Sequence, residues 1–284
     1  MSDSLPQSPE KVSFEIPPEL YEKLIDWEKR LAHEAPFYRW LFDRFAVQRV
    51  LDVACGTGHH AALFHSWGLV VEGADASPAM IAFAKTRFGE PPGLTWLVRN
   101  FLSRHPQSES FDAVVCLGNS LSLARDSIQV AEAVQNMYAA VRKGGCLLIH
   151  FLNFARVPDR STTWQKVGTV LWDGRTCLVL KGLHRLGQEA LVTFVVVDPH
   201  RPAIVQSLTE KMLCTALEST VKTASCLKVA PSAIELFMDY RPGEKLALPG
   251  PSGEHLERAQ DLLLVIRKDG TASTAFRQDS AAIR

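Results

Sequence analysis

The stretch that constrains this chain most is Val50-Leu51-Asp52-Val53-Ala54-Cys55-Gly56-Thr57-Gly58, an apolar strand pattern that runs straight into a glycine-rich turn. A second apolar segment opens at Leu69-Val70-Val71 and ends on the acid Asp75, seventeen residues past Gly58. Glycines at such a turn let the backbone approach a ligand and bend into a following helix, and a carboxylate at the next strand end accepts hydrogen bonds from both hydroxyls of a ribose. The pair predicts a nucleotide-type ligand. No third glycine stands at the usual place, since His59 and His60 come next, which argues against a pyrophosphate ligand and a nicotinamide-dependent oxidoreductase. The competing reading of Asp75 is a helix cap or surface acid.

Around this pair the hydrophobic pattern alternates between strand and helix. Pro18 to Phe45 reads as helical from the spacing of Leu20, Leu24, Trp27 and Leu31, with an interruption expected at Pro36. Strands are expected over 49–54, 69–74, 94–98, 111–116 and 145–151, and helices over 59–67, 78–88 and 127–141. Arg142-Lys143-Gly144-Gly145 reads as the helix stop and turn before the fifth strand. This predicts an α/β fold, a Rossmann-like doubly wound parallel sheet. Past Asn153, segments 164–171, 176–183 and 190–197 read as strands joined at Asp173-Gly174 and Leu186-Gly187, which predicts an inserted antiparallel β lid. A helix over about 210–224 and strands near 233–238 and 262–267 are expected to return to the main sheet. The expected division is a flexible leader 1–18, a ligand-binding domain 19–153 and 205–268, the lid 154–204, and a disordered tail 269–284.

At 284 residues and 46% hydrophobic, the chain can bury a sizeable core. Thirty-one basic residues balance 31 acidic ones, so no global basic field exists to draw nucleic acid or an anionic membrane surface. No apolar run reaches the length of a membrane span and no export signal is legible in 1–18. The six cysteines are widely spaced with no Cys-x-x-Cys, which fits reduced thiols in a cytoplasmic protein and argues against a metal site.

Asp-Val-Ala-Cys-Gly-Thr-Gly at 52–58 and Asp-Ala-Ser-Pro-Ala-Met at 75–80 resemble motifs I and II of class I S-adenosylmethionine (SAM) methyltransferases, whose ligand carries an adenosine but no phosphate. The expected fold is then the seven-stranded methyltransferase sheet. With Leu24-Ile25-Asp26-Trp27-Glu28 and Arg30, Asn100-Phe101, and Cys116-Leu117-Gly118-Asn119-Ser120, the set resembles glycine N-methyltransferase and the bacterial glycine/sarcosine methyltransferases over about residues 20–155, with a weaker echo at Asp239-Tyr240-Arg241-Pro242. The resemblance implies a cofactor site from Asp52, Ala54, Gly56, Gly58, Asp75, Ala76, Met80, Asn100, Phe101 and Leu117, with Arg30 near the methionine carboxylate. Asn100 would face the adenine edge, and Met80 and Phe101 its ring faces, although pattern alone equally allows those two as plain core. Tyr21 and Trp27 are placed less securely beside Arg30, Asn119 falls where the family holds the substrate carboxylate, and Tyr21 is expected to contact the substrate as well. The family also implies self-association as a homo-oligomer.

One departure bears on substrate. Where the family has an arginine that clamps the glycine carboxylate, this chain has Leu152 in Leu152-Asn153-Phe154-Ala155. Losing a charge-assisted contact costs of order a few kcal/mol, so glycine is a poor fit unless Arg156 or Arg160 compensates, and both read better as surface charges. Leu152, Phe154 and Trp164 would line a pocket for a larger or less charged small-molecule acceptor. In-line methyl transfer needs alignment and exclusion of water, and an amine acceptor needs no strong base. A hydroxyl would want one, with His150, His184 and His59 as candidates, His150 being nearest the reaction centre; the alternative for His150 is a satisfied structural histidine. His59 and His60 point different ways on a helix and make no metal pair, and Cys55 reads as packing. The expected function is transfer of a methyl group from SAM to a small molecule, nitrogen favoured over oxygen, leaving S-adenosylhomocysteine. Glycine or sarcosine methylation, and a SAM-binding protein without catalysis, are the alternatives.

Overall fold

The computed structural model describes residues 16–200, 203–248 and 258–269. Pro18 at the first helical position starts α1 (Pro18–Leu24), and Asp26, accepting from the Lys29 N–H at 3.1 Å, caps α2 (Trp27–Arg44). The break in the N-terminal helix therefore falls at Ile25-Asp26, and α2 runs through Pro36 without interruption. Ala32 and Pro36 are both exposed, so the carbonyl that proline deprives of a partner faces water, while Glu34, Phe37, Tyr38, Leu41 and Phe42 hold the other face in the core.

There follow β1 (Arg49–Asp52), α3 (His59–Ser66), β2 (Val70–Asp75), α4 (Pro78–Phe88), β3 (Leu94–Val98), β4 (Phe111–Cys116), α5 (Ser127–Ala140) and β5 (Val141–Leu152). Ser77 caps α4, and Asp126 caps α5 by accepting from the Ile128 and Gln129 N–H groups. β5 starts earlier than its pattern predicts. Val141 already pairs with Phe111, the next pair is Ala113 with Cys146, and Arg142-Lys143-Gly144-Gly145 is a bulge within the strand pairing.

The second half holds β6 (Thr162–Trp172), β7 (Arg175–Leu186), β8 (Glu189–Asp198), β9 (Ala203–Leu213), α6 (Ala216–Cys226), β10 (Ile234–Met238), β11 (Lys245–Leu246) and β12 (Asp261–Arg267). Residues 210–213, expected in a helix, extend β9: Glu189 pairs with Leu213 and Val192 with Glu210. Helix-favouring Glu210-Lys211-Met212-Leu213 is overridden by a strand partner that its own residues do not announce. The antiparallel sheet β6-β7-β8-β9 thus reaches Leu213, beyond the expected insertion limit of 204.

The main sheet has the order β11-β10-β12-β5-β4-β1-β2-β3. β1 to β5 are parallel, while β12 runs antiparallel to β5 and β10, so the sheet is mixed rather than purely parallel. Eight strands make up the sheet, the two-residue β11 being added at one edge to seven others, which is consistent with the expected seven-stranded Rossmann-like core. Alternate residues of each strand separate its two faces. Leu51, Val114 and Leu264 pack with Val130, Val134 and Met137 of α5 and Leu217 of α6, whereas Val50, Val115 and Val265 pack with Phe37 and Leu41 of α2 and Phe64 of α3. Each such side chain contributes about 1.5–3 kcal/mol by leaving water. A third apolar cluster joins α1 to the inserted sheet through Ile16, Leu20, Leu24, Val179, Val192 and Phe194. Ile16 is buried and Pro18 is helical, so the expected leader is already packed by residue 16. Residues 1–15 and, in the expected tail, 270–284 lie outside the described residues. Among the described residues, no helix is long and apolar enough to cross a membrane.

Trp96 on β3 fixes how the first helices sit on the sheet. A Cβ on Gly73 of β2 would lie 2.6 Å from its ring, and one on Gly58, where φ is +90°, would lie 2.7 Å away. Trp96 is 3% exposed and donates its indole N–H to the Gly89 carbonyl at 2.8 Å, so the ring has nowhere to move. Gly73→Ala is expected to destabilise the fold by about 1–3 kcal/mol through overpacking, read as a lowered denaturant midpoint at unchanged slope.

Candidate active site

In an open α/β sheet the carboxyl ends of the strands surround a crevice where the strand order reverses, which here is between β1 and β4. The turn after β1 and the end of β2 are tied together there. Asp75 Oδ2 accepts from the Gly56 N–H at 2.8 Å and Oδ1 from the Ser77 N–H at 2.9 Å. Burial raises the Asp75 pKa, and the two N–H donors pull it back. Two of the roughly four acceptor directions of this carboxylate are used, and Asp75 also lines the cavity. Gly56 has φ +54°, and a Cβ there would meet only Tyr21, at 3.9 Å, so this turn opens its backbone to the cavity.

The cavity measures about 420 Å³. Its sheet end is walled by Val53, Ala54, Gly56, Asp75 and Ala76, with Met80 and Phe101 beside them. Tyr21, Leu24 and Arg30 close it from α1 and α2. Lys181 of β7, Val192 and Phe194 of β8, and Met212 of β9 cover it from the inserted sheet.

Arg30 is fixed by a buried carboxylate. Its Nε donates to Glu34 Oε1 at 2.7 Å, while Glu34 Oε2 accepts from the Tyr38 hydroxyl at 2.8 Å and meets His60 Nε2 at 2.7 Å. Burial opposes the charge on Glu34, but His60 and Arg30 outweigh it and hold the carboxyl well below the usual range. Burial likewise opposes the charge on Arg30, and Glu34 keeps it above the ordinary arginine range. Burial pushes His60 below the usual histidine range, with Glu34 pulling the other way. Nearby, His59 stacks on Trp27 with centroids 4.2 Å apart, and both bond to Glu22. Burial raises the Tyr21 hydroxyl, with Arg30 pulling the other way.

The far end of the cavity is built at the ends of β4 and β5. Asn119, with φ +64°, uses its side-chain oxygen to accept from the Ser122 hydroxyl at 2.8 Å and the Leu152 N–H at 3.0 Å. Its amide nitrogen points at Met212 Sδ, 3.4 Å away, so toward a ligand this side chain can only donate. His150 and Leu152, two residues apart on one strand, both line the cavity, with Tyr240, Gln260 and Asp261 alongside. His150 Nε2 lies 2.9 Å from Asp261 Oδ1.

Four residues expected at the cofactor do not line this cavity. Gly58 is occupied by Trp96, so its lack of a side chain serves helix–sheet packing rather than ligand approach. Asp52 is fully buried behind the turn with neither carboxylate oxygen in a well-formed hydrogen bond, and burial pushes its carboxyl up to about 7 against a weaker opposing pull from the Ala54 N–H. Asn100 accepts from the Leu102 N–H at 2.9 Å beside a separate small cleft, and Leu117 packs into the core against α2. Phe154 is core and Trp164 is 53% exposed, so Leu152 alone of the three expected lining residues faces the cavity. Arg156 and Arg160 are exposed and away from it, and His184 bonds to Thr162 on the insertion. Cys55 is buried, and burial raises its thiol far above the reactive range. Among the described residues no group of three or more His, Cys, Asp or Glu is placed to hold a metal ion.

Glu34, Lys181 and Asp261 are not singled out by the sequence pattern, and Tyr240 stands in the weaker echo at 239–242 without a role assigned to it. Glu34 carries a readable signal, four residues past Arg30 on one helix. Asp261 reaches the cavity through the pairing of β12 with β5 across a long chain separation, and Lys181 through the placement of the inserted sheet over the cavity.

Residues 50–145 match a family model described as a methyltransferase domain. A glycine/sarcosine N-methyltransferase from Parasynechococcus marenigrum is 34% identical over 143 residues, 48% of this chain and 49% of that protein. The chain spans about half the length of the curated relatives it matches. In fold it is similar to the sugar N-methyltransferase KedS8 from Streptoalloteichus (TM-score 0.64, 22% identity, 94% of this chain and 99% of that one). It is also similar to SAM-bound CalS10, an amino pentose methyltransferase from Micromonospora echinaspora (TM-score 0.63, 22% identity, 92% and 100%). The glycine turn and the ends of β1, β2 and β4 thus fall within the segment that matches the methyltransferase-domain model, and the chain as a whole is similar in fold to these methyltransferases.

Proposed function

We propose that this chain transfers a methyl group from SAM to an amine nitrogen of a small molecule larger than glycine, leaving S-adenosylhomocysteine. The observation that carries the reading is one cavity of about 420 Å³ in which the Gly56 turn, Asp75, Met80, Phe101 and Arg30 share a space with Asn119, Leu152 and the inserted sheet. A volume of this order suits a ligand pocket, and its donor set matches the parts of SAM. Asp75 offers carboxylate capacity to ribose hydroxyls, Met80 and Phe101 offer apolar faces to a purine, and Arg30, held by Glu34, offers its cation to a carboxylate. When bound, SAM supplies an electrophilic methyl on a sulfonium. The chain's own part is to align the acceptor at the ends of β4 and β5 and to exclude water with the inserted sheet, which we assign as the lid.

Glycine fits this cavity poorly. Leu152 stands where a clamp cation would be needed, which leaves the amide N–H of Asn119 as an uncharged donor to a carboxylate there. Lys181 is the cation the insertion brings to the cavity, and with Val192, Phe194 and Met212 around it the wall favours an acceptor with apolar bulk. The similarity to glycine/sarcosine N-methyltransferases supports glycine or sarcosine as the second reading.

Incubation with methyl-labelled SAM and a panel of glycine, sarcosine, larger primary and secondary amines and phenols is expected to label larger amines and not glycine; labelling of glycine alone contradicts the assignment. Leu152→Arg is expected to create or raise glycine turnover. Asp75→Ala is expected to weaken SAM binding roughly 10- to 100-fold in calorimetry, from a lost charge-assisted bond of about 1.5–3 kcal/mol, with a thermal melt checking that the tied turn still folds.

A further inference from the structure

The turn at Asp239-Tyr240, both residues with left-handed φ (+48° and +57°), fixes the start of β12. Asp239 Oδ1 accepts from the Gln260 and Asp261 N–H groups at 2.8 and 2.9 Å. In the antiparallel pairing of β12 with β5, Asp261 stands opposite Leu152 and diagonal to His150, so the three side chains leave the sheet on one face. All three residues line the cavity. His150 Nε2 meets Asp261 Oδ1 at 2.9 Å, which holds the carboxylate from one side. The other oxygen, Oδ2, has no hydrogen bond among the described residues, yet it is not one of the shielded, unbonded polar atoms, which belong to Asp52, Thr57, His150 and Tyr240. It therefore stays accessible, on a side chain that is 18% exposed. The carboxylate is thus fixed at its backbone and at one oxygen, and open at the other.

We propose that Asp261 is a catalytic and specificity-determining residue whose Oδ2 accepts a hydrogen bond from the nitrogen that receives the methyl group. The proposal rests on the methyltransferase reading and deepens it by naming the acceptor class, a primary or secondary amine. A carboxylate only accepts, so the nitrogen it holds carries a hydrogen, which excludes a tertiary amine and a thioether. With that N–H on Oδ2, the nitrogen lone pair is left to face the sulfonium methyl. The lone pair forms the new nitrogen–carbon bond, the carbon–sulfur pair stays on sulfur, and one positive charge passes from sulfur to nitrogen while the hydrogen remains on nitrogen. The carboxylate stands where that charge develops, so it binds the transition state more strongly than the neutral amine. A hydroxyl acceptor that reacts as its anion ends neutral and gains nothing from a neighbouring carboxylate. The position is the acceptor end of the cavity: Asp261 faces Leu152, whose N–H donates to Asn119, whereas Gly56 and Asp75 lie across the reversal in strand order. Of the other charges there, Glu34 neutralises Arg30, Asp75 is bonded to the glycine turn, and Lys181 comes from the inserted sheet. Among the described residues no lysine or arginine pairs with Asp261.

Asp261→Asn in the full chain tests this, because the amide oxygen still accepts from His150 while an NH2 group replaces Oδ2. With the amine of the panel that the wild type methylates best, kcat is expected to fall roughly 100-fold, the scale of removing one preorganised group that faces developing charge. SAM affinity in calorimetry and the thermal midpoint are expected to stay at their wild-type values. Asp261→Glu is expected to restore part of the amine turnover, and whatever phenol turnover the wild type shows is expected to hold or rise in Asp261→Asn. An unchanged amine kcat in Asp261→Asn, or a phenol turnover that falls in step with it, overturns the assignment while leaving the methyltransferase reading in place. Failure of the wild type to bind SAM, or to methylate any amine in the panel, overturns the reading on which it rests.

Discussion

The Asp75 carboxylate holds the cavity together. By accepting from the Gly56 and Ser77 N–H groups it joins the turn after β1 to the start of α4 and fixes the spacing of two neighbouring strand ends. Only with that spacing set does Gly56 turn its open side toward the crevice, and only with Ser77 held does α4 place Met80 at the cavity wall. Trp96 supports the same joint from behind, filling the space that side chains on Gly58 and Gly73 would occupy. The turn is thus rigid on its sheet side and open on its ligand side, as a preorganised site requires.

A second buried carboxylate does the corresponding work for the N-terminal helices. Glu34 gathers Arg30, Tyr38 and His60, so α2 is bound to α3 and the guanidinium is aimed before any ligand arrives. Removing one partner from such a buried network leaves an uncompensated charge and costs about 3–5 kcal/mol, which makes Arg30 a fixed wall rather than a mobile arm. The inserted sheet completes the enclosure, and its packing against Ile16, Leu20 and Leu24 couples cavity closure to the same N-terminal segment.

Much of the first half was legible in the sequence because its signals are local. The turn at Gly56–Gly58 and the acid Asp75 are each decided within a few residues, and the structure puts Asp75, Gly56, Met80 and Phe101 around one space. Gly58 shows the limit of such reading, since a glycine needed to admit Trp96 looks the same as one needed to admit a ligand. The remaining misses are questions of partner. Residues 210–213 became strand because β8 lay beside them, Arg142–Gly145 became a bulge because β4 did, and Asp261 met His150 through the β5–β12 register. None of these contacts is announced within the segment that makes it.

The central claim is that the crevice between the ends of β1 and β4 holds SAM. Calorimetric titration of the full chain with SAM, with S-adenosylhomocysteine as competitor and a reduced nicotinamide dinucleotide in parallel, tests it most directly. The account predicts one SAM per chain, displaced by S-adenosylhomocysteine, and no heat from the dinucleotide. Binding of the dinucleotide with none of SAM would contradict it.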